Sequence, residues 1–147
     1  MSHELISMTE RLIADLRKIR SEEGGPAAAE PFHVLIIEDR PEFAKILETL
    51  SKAVGCQTRI AGTAWLAEQS LNEPTDIVFL DLNLPDSKGA EVFHIVRRLQ
   101  PGAHIIVVTA YPALLDDLPA GEYFGVVLKP ATEETLRDIV EKYRRPE

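Results

Sequence analysis

Residues 32–39 read FHVLIIED, and residues 76–81 read DIVFLD. Each is a short, almost unbroken apolar run that ends on acidic side chains. A strand with one wet face alternates apolar and polar residues, whereas a central parallel strand, buried on both faces, reads as a continuous apolar run. HIIVV at 104–108 has the same character and ends on Thr109, and Tyr123–Leu128 ends on Lys129. Gln57–Ala61 is a weaker run, expected nearer an edge.

Helical spacing fills the gaps between these runs. Pro41 opens a helix with apolar positions Phe43, Ile46, Leu47, Leu50 and Val54, closed by Gly55. Thr63 caps a helix running to Leu71 that stops before Pro74. Gly89–Leu99 turns Val92, Ile95, Val96 and Leu99 inward, and Glu133–Tyr143 does so with Leu136, Ile139, Val140 and Tyr143. Between the last two strands Ala113–Leu118 is barely a helix, cut short by Pro119. Strands alternating with helices build βαβ units with right-handed crossovers. The predicted fold is therefore α/β, a doubly wound five-stranded parallel sheet with its ligand site outside the carboxyl ends of the strands.

The chain divides into an N-terminal amphipathic helix over 1–24, stopped by Gly24-Gly25-Pro26, a linker over 25–31, and a domain over 32–144. Leu5, Leu12 and Ile19 lie seven apart, with Leu16 on the same side, a narrow stripe about three heptads long. Such a stripe either docks back on the domain or pairs with a second copy in a homodimer.

Composition excludes several classes of function. Of 147 residues 45% are hydrophobic and 27% charged, so an ordinary core forms without disulfides. A single cysteine, Cys56, and no signal-peptide pattern point to a reduced, cytoplasmic setting. No apolar run reaches the roughly 20 residues that a membrane helix needs. The formal net charge of −8 opposes nucleic-acid binding.

Polar residues converge where the ligand should lie. The first strand runs into Glu38-Asp39, the third into Asp81, the fourth into Thr109 and the fifth into Lys129-Pro130. Three carboxylates at one rim repel each other unless a cation joins them, and hard oxygen donors in an open site suit Mg²⁺. A magnesium ion beside an ammonium forms a cradle for a phosphoryl group, whose transfer depends on positioning and charge neutralisation. Asp81, alone at the end of a central strand, is the candidate nucleophile. Glu38 and Asp39 are left for the metal, and the Thr109 hydroxyl can donate to a phosphoryl oxygen.

The ordered set ED at 38–39, DLNLPDSKG at 81–89, VVTA at 107–110 and LKP at 128–130 closely resembles the receiver domains of two-component response regulators, over about residues 32 to 144. The resemblance implies a flavodoxin-like strand order 2-1-3-4-5. It implies Mg²⁺ held by Glu38, Asp39, Asp81 and the backbone carbonyl of Asn83. Asp81 would accept a phosphoryl group from a phosphohistidine on a histidine kinase or histidine phosphotransfer protein. Thr109 and Lys129 would contact the phosphoryl oxygens, small Ala110 would leave them room, and Pro130 would follow a cis bond. Signalling would then pass to a downstream protein target by protein–protein contact.

Two departures stand out. The aromatic residue that receivers usually carry three positions before the lysine is Val126 here, with Phe124 as the candidate replacement from the same strand face. Tyr111, two after Thr109, is bulky enough to shield a phosphoryl group from water. The chain ends close after its last expected helix, which favours a stand-alone receiver. The alternatives are a segment of a longer hybrid kinase or effector-bearing regulator and, from another class, a doubly wound hydrolase or nucleotide-binding enzyme. The last lacks G-x-G-x-x-G and G-x-x-x-x-G-K-[ST] motifs.

Overall fold

The computed structural model describes residues 7, 10–18 and 31–129. In chain order the strands are β1 (His33–Ile37), β2 (Gln57–Ala61), β3 (Ile77–Asp81), β4 (Asn83–Leu84), β5 (Ser87–Lys88), β6 (His104–Thr109) and β7 (Gly125–Leu128). The helices are α1 (10–18), α2 (Pro41–Ala53), α3 (Ala64–Ser70) and α4 (Gly89–Leu99). A 3₁₀ segment, Pro112–Asp117, stands where the weak fourth helix of the domain was expected. Proline opens it, Pro119 follows it, and it contributes no buried residue.

The main sheet is parallel, in the order β2-β1-β3-β6-β7. Setting aside β4 and β5, a two-residue antiparallel hairpin inside the loop after β3, this is the anticipated order 2-1-3-4-5. The runs that read as continuously apolar are the central strands: every residue of β3 is buried, and so are all but the first of β1 and β6. The edge strands β2 and β7 are only partly covered.

Alternation along the central strands divides the core between two faces. Val34, Ile36, Ile77, Phe79, Ile106 and Val108 meet the buried face of α2 on one side. Leu35, Ile37, Val78, Leu80, Ile105 and Val107 meet α3 and α4 on the other. Helices on both faces define the doubly wound architecture.

The first face also takes Leu12, Ile13 and Leu16 of α1, all buried. Ile13 lies outside the expected stripe, so the buried surface is broader than a coiled-coil seam. Arg17 Nη2 donates to the Val54 carbonyl (2.9 Å) at the C-terminal end of α2, where a cation offsets the negative pole of the helix. The Arg11 guanidinium lies 5.2 Å from the centroid of the Phe124 ring. Leu5, Ile19, the linker from 25 to 30, the peptide bond before Pro130 and the expected helix Glu133–Tyr143 lie outside the described residues. Among those described, no helix is long and apolar enough to cross a membrane.

Two glycines are required. Gly55 ends α2 at φ +88°, in the left-handed region where a Cβ is disfavoured. At the start of α4, a Cβ on Gly89 would fall 2.6 Å from Leu82 Cα, because the hairpin folds the chain back onto that helix.

Candidate functional site

Register fixes the site. Ile37 pairs with Leu80, Asp81 with Val108 and Thr109 with Leu128, so residues 38–39, 81, 109 and 129 emerge at the same rim of the sheet. Backbone bonds continue the ladder into the loops. The Glu38 amide donates to the Ala61 carbonyl (3.0 Å) and the Lys129 amide to the Thr109 carbonyl (2.8 Å).

Lys129 Nζ donates to both carboxylate oxygens of Glu38, at 2.8 and 2.9 Å, and stands 3.5 Å from Asp81 Oδ2. Glu38 and Asp81 are buried, whereas Asp39 is exposed at the mouth. Burial pushes the Glu38 carboxyl up to about 7, against the pull of the Lys129 ammonium and with help from the Asp81 charge. Oxygen atoms of Glu38, Asp39 and Asp81 all lie within 4.8 Å of one another. Three hard donors at that spacing, one of them open to water, fit a small divalent cation that keeps part of its hydration.

The second Asp81 oxygen, Oδ1, accepts from the Asn83 amide (2.9 Å), which fixes the turn after β3. The fully buried Thr109 Oγ1 accepts from the Tyr111 amide (3.0 Å) and donates to the Tyr111 carbonyl (3.4 Å). A cleft of about 220 Å³ opens above Asp81, lined by Asp39, Arg40, Asn83, Ala110, Tyr111 and Lys129. Six of the eight residues singled out from the sequence line this one opening, with Tyr111 exposed at its edge, and buried Glu38 and Thr109 join them through their bonds to Lys129 and Tyr111.

One expectation fails. Phe124 does not share a face with Val126: it packs against the α1/α2 face, while Val126 packs against the α3/α4 face. The two-residue alternation that placed them together begins only at Gly125, where β7 starts. Phe124 therefore cannot replace the missing inward aromatic beside Thr109.

Sequence reading also passed over three neighbours. Arg40 lines the cleft, and a basic residue directly after an acidic pair at a strand end was the available signal. Phe43, read only as core, sits under Lys129 with its ring centroid 4.5 Å from Nζ. Asp86 accepts from the amides of Ala64 (2.8 Å) and Trp65 (3.2 Å), tying the loop after β3 to the N-terminus of α3. These amide bonds hold its carboxyl below the usual range.

A parallel sheet of this order with helices on both faces is a doubly wound, flavodoxin-like fold, and it carries acidic, hydroxyl and ammonium groups at one rim. The chain belongs to the response regulator receiver domain family, whose model matches residues 34–141. Response regulator protein PilR of Pseudomonas aeruginosa is 30% identical over 120 residues, covering 77% of this chain and 27% of PilR. Transcriptional regulatory protein GlrR of Escherichia coli is 26% identical over 115 residues, 76% of this chain and 26% of GlrR. The chain thus spans about a quarter of the length of these curated relatives. Among solved structures, it resembles TrrA of Thermotoga maritima in complex with Mg(2+)-BeF, with 26% identity, a TM-score of 0.61, and coverage of 76% of this chain and 98% of that one. It also resembles a response regulator of Burkholderia pseudomallei with a phosphorylated aspartic acid, calcium ion and citrate, with 25% identity, a TM-score of 0.62, and coverage of 74% and 66%.

Proposed function

We propose that the chain is a phosphoacceptor switch in which Asp81 takes a phosphoryl group in a Mg²⁺-dependent reaction. The observation that carries this reading is the meeting of Lys129, Glu38 and Asp81 below an open cleft. Glu38, Asp39, Asp81 and the Asn83 carbonyl would hold the ion, which when bound neutralises charge on the carboxylates and on the incoming phosphoryl oxygens. The phosphorylated and Mg²⁺-bound receivers that this chain resembles support the same assignment.

An Asp81 oxygen attacks phosphorus in line as the P–N bond of a phosphohistidine breaks, and the electron pair returns to the imidazole of the donor. Asn83, through its amide, keeps the carboxylate turned to the cleft. Lys129, 3.5 Å from Asp81 Oδ2, meets the developing charge. Phosphorylation adds up to two negative charges at Asp81. The Thr109 hydroxyl then exchanges the Tyr111 carbonyl for a phosphoryl oxygen, and the loop carrying Tyr111 follows it. Phosphate drives that shift only by its differential affinity for the two arrangements. Tyr111 shields the acyl phosphate from water.

The phosphodonor is a histidine kinase or histidine phosphotransfer protein, and the output is contact with a protein target. We place α1 as part of this domain, not as a homodimer arm, because Leu12, Ile13 and Leu16, the large apolar residues of its described part, are already covered.

The test is treatment with phosphoramidate and Mg²⁺, read by intact mass. One phosphoryl group per chain is expected in the wild type and none in Asp81→Ala. Full labelling of Asp81→Ala would refute the assignment.

A further inference from the structure

We infer that Phe43 is a positioning residue for Lys129, its ring face holding the ammonium in line with the phosphoryl oxygens that Asp81 would carry. The inference rests on the reading of Asp81 as acceptor. A lysine ammonium ends a flexible four-carbon stem, and a charge that must meet a transferring phosphoryl group has to be localised before the group arrives. In this site two N–H groups of Lys129 are taken by Glu38 oxygens (2.8 and 2.9 Å). Asp81 Oδ2, at 3.5 Å, completes the charged surroundings.

The remaining side is closed by the Phe43 ring, 4.5 Å from Nζ, within the distance at which an aromatic face attracts a cation. A ring differs from every other partner of Lys129 in one respect. It attracts the charge without accepting a directed hydrogen bond, so the N–H groups stay free to pass from Glu38 to a phosphoryl oxygen while the nitrogen stays in place. Phe43 is itself fixed: it is buried in the core cluster with Ile46, Leu47 and Val127, in the first turn of α2. Plain core packing would be met equally by leucine, whereas the positioning role requires the negative face of the ring. The two roles separate by ring electronics.

The experiment replaces Phe43 with leucine and, independently, with phenylalanines carrying increasing fluorine, which keep the shape and weaken the negative face. Labelling by phosphoramidate at saturating Mg²⁺ should slow about tenfold in Phe43→Leu, and in graded steps along the fluorinated series. The Lys129 ε-methylene protons should show a ring-current shift in the phosphate-free protein and lose it in Phe43→Leu. If the Phe43→Leu chain does not fold, the fluorinated series alone decides. Rates indifferent to fluorination, or ε-methylene protons without a ring-dependent shift, would overturn the inference. A wild-type chain that takes no phosphate would instead overturn the acceptor reading, and the proton shift would still decide the place of Phe43.

Discussion

At Glu38 two demands conflict. Its carboxyl is buried beneath a cleft that must bind cations, and desolvation pushes it up to about 7 although Lys129 donates to both its oxygens. The folded value lies above the ordinary 4.5, so between the two the folded chain holds a proton that the unfolded chain releases. The stability that this proton contributes is fully present below about 4.5 and is lost as pH rises through about 7. A bound divalent ion competes with the same proton. Mg²⁺ affinity should therefore weaken as pH falls below about 7, by up to roughly tenfold per unit, and a calorimetric titration series measures this. Glu38→Gln should bind the ion more weakly and without that slope. An affinity independent of pH in the wild type across this window would contradict the burial argument.

The loop from Leu82 to Lys88 joins chemistry to packing at the level of elements. Asn83 holds Asp81, Asp86 caps α3, and the β4/β5 hairpin returns the chain so closely that Gly89 leaves no room for a Cβ beside Leu82. Gly89→Ala would force backbone or Leu82 to shift. It should cost about 1–3 kcal/mol in urea denaturation, a cost typical of overpacking. Asp86→Ala should lower the denaturation midpoint at neutral pH and lose its effect in acid, since a carboxyl held below its usual value stabilises only while ionised. The sequence showed where this loop lay but not how it closed, because turn residues such as Pro85 and Asp86 signal a reversal without naming its partner. Continuous apolar runs placed β1, β3 and β6 well, since a strand buried on both faces shows no polar alternation. Period-two reasoning failed at Phe124, which precedes the start of β7 at Gly125 and so does not follow the alternation of the strand.

For the whole molecule, the site was legible because a parallel sheet delivers every strand end to the same rim, so chain order and residue type sufficed to assemble it. The placement of α1 was not legible. Seven-residue spacing describes a stripe and not what covers it, so docking and dimerisation both remained open. The structure covers Leu12, Ile13 and Leu16 with the sheet face shared with α2, and Arg11 and Arg17 pin the helix at Phe124 and Val54. If this helix belongs to the core of its own chain, truncating Leu12 removes buried methyl groups and opens a cavity. Leu12→Ala should then cost roughly 2–5 kcal/mol at any protein concentration. Were the stripe instead shared between copies, the loss would shrink on dilution, because an interface that dissociates contributes nothing to the stability of the separated chains. Urea denaturation of Leu12→Ala and wild type over a wide range of concentrations distinguishes the two: parallel curves support the docked helix, and converging ones the dimer.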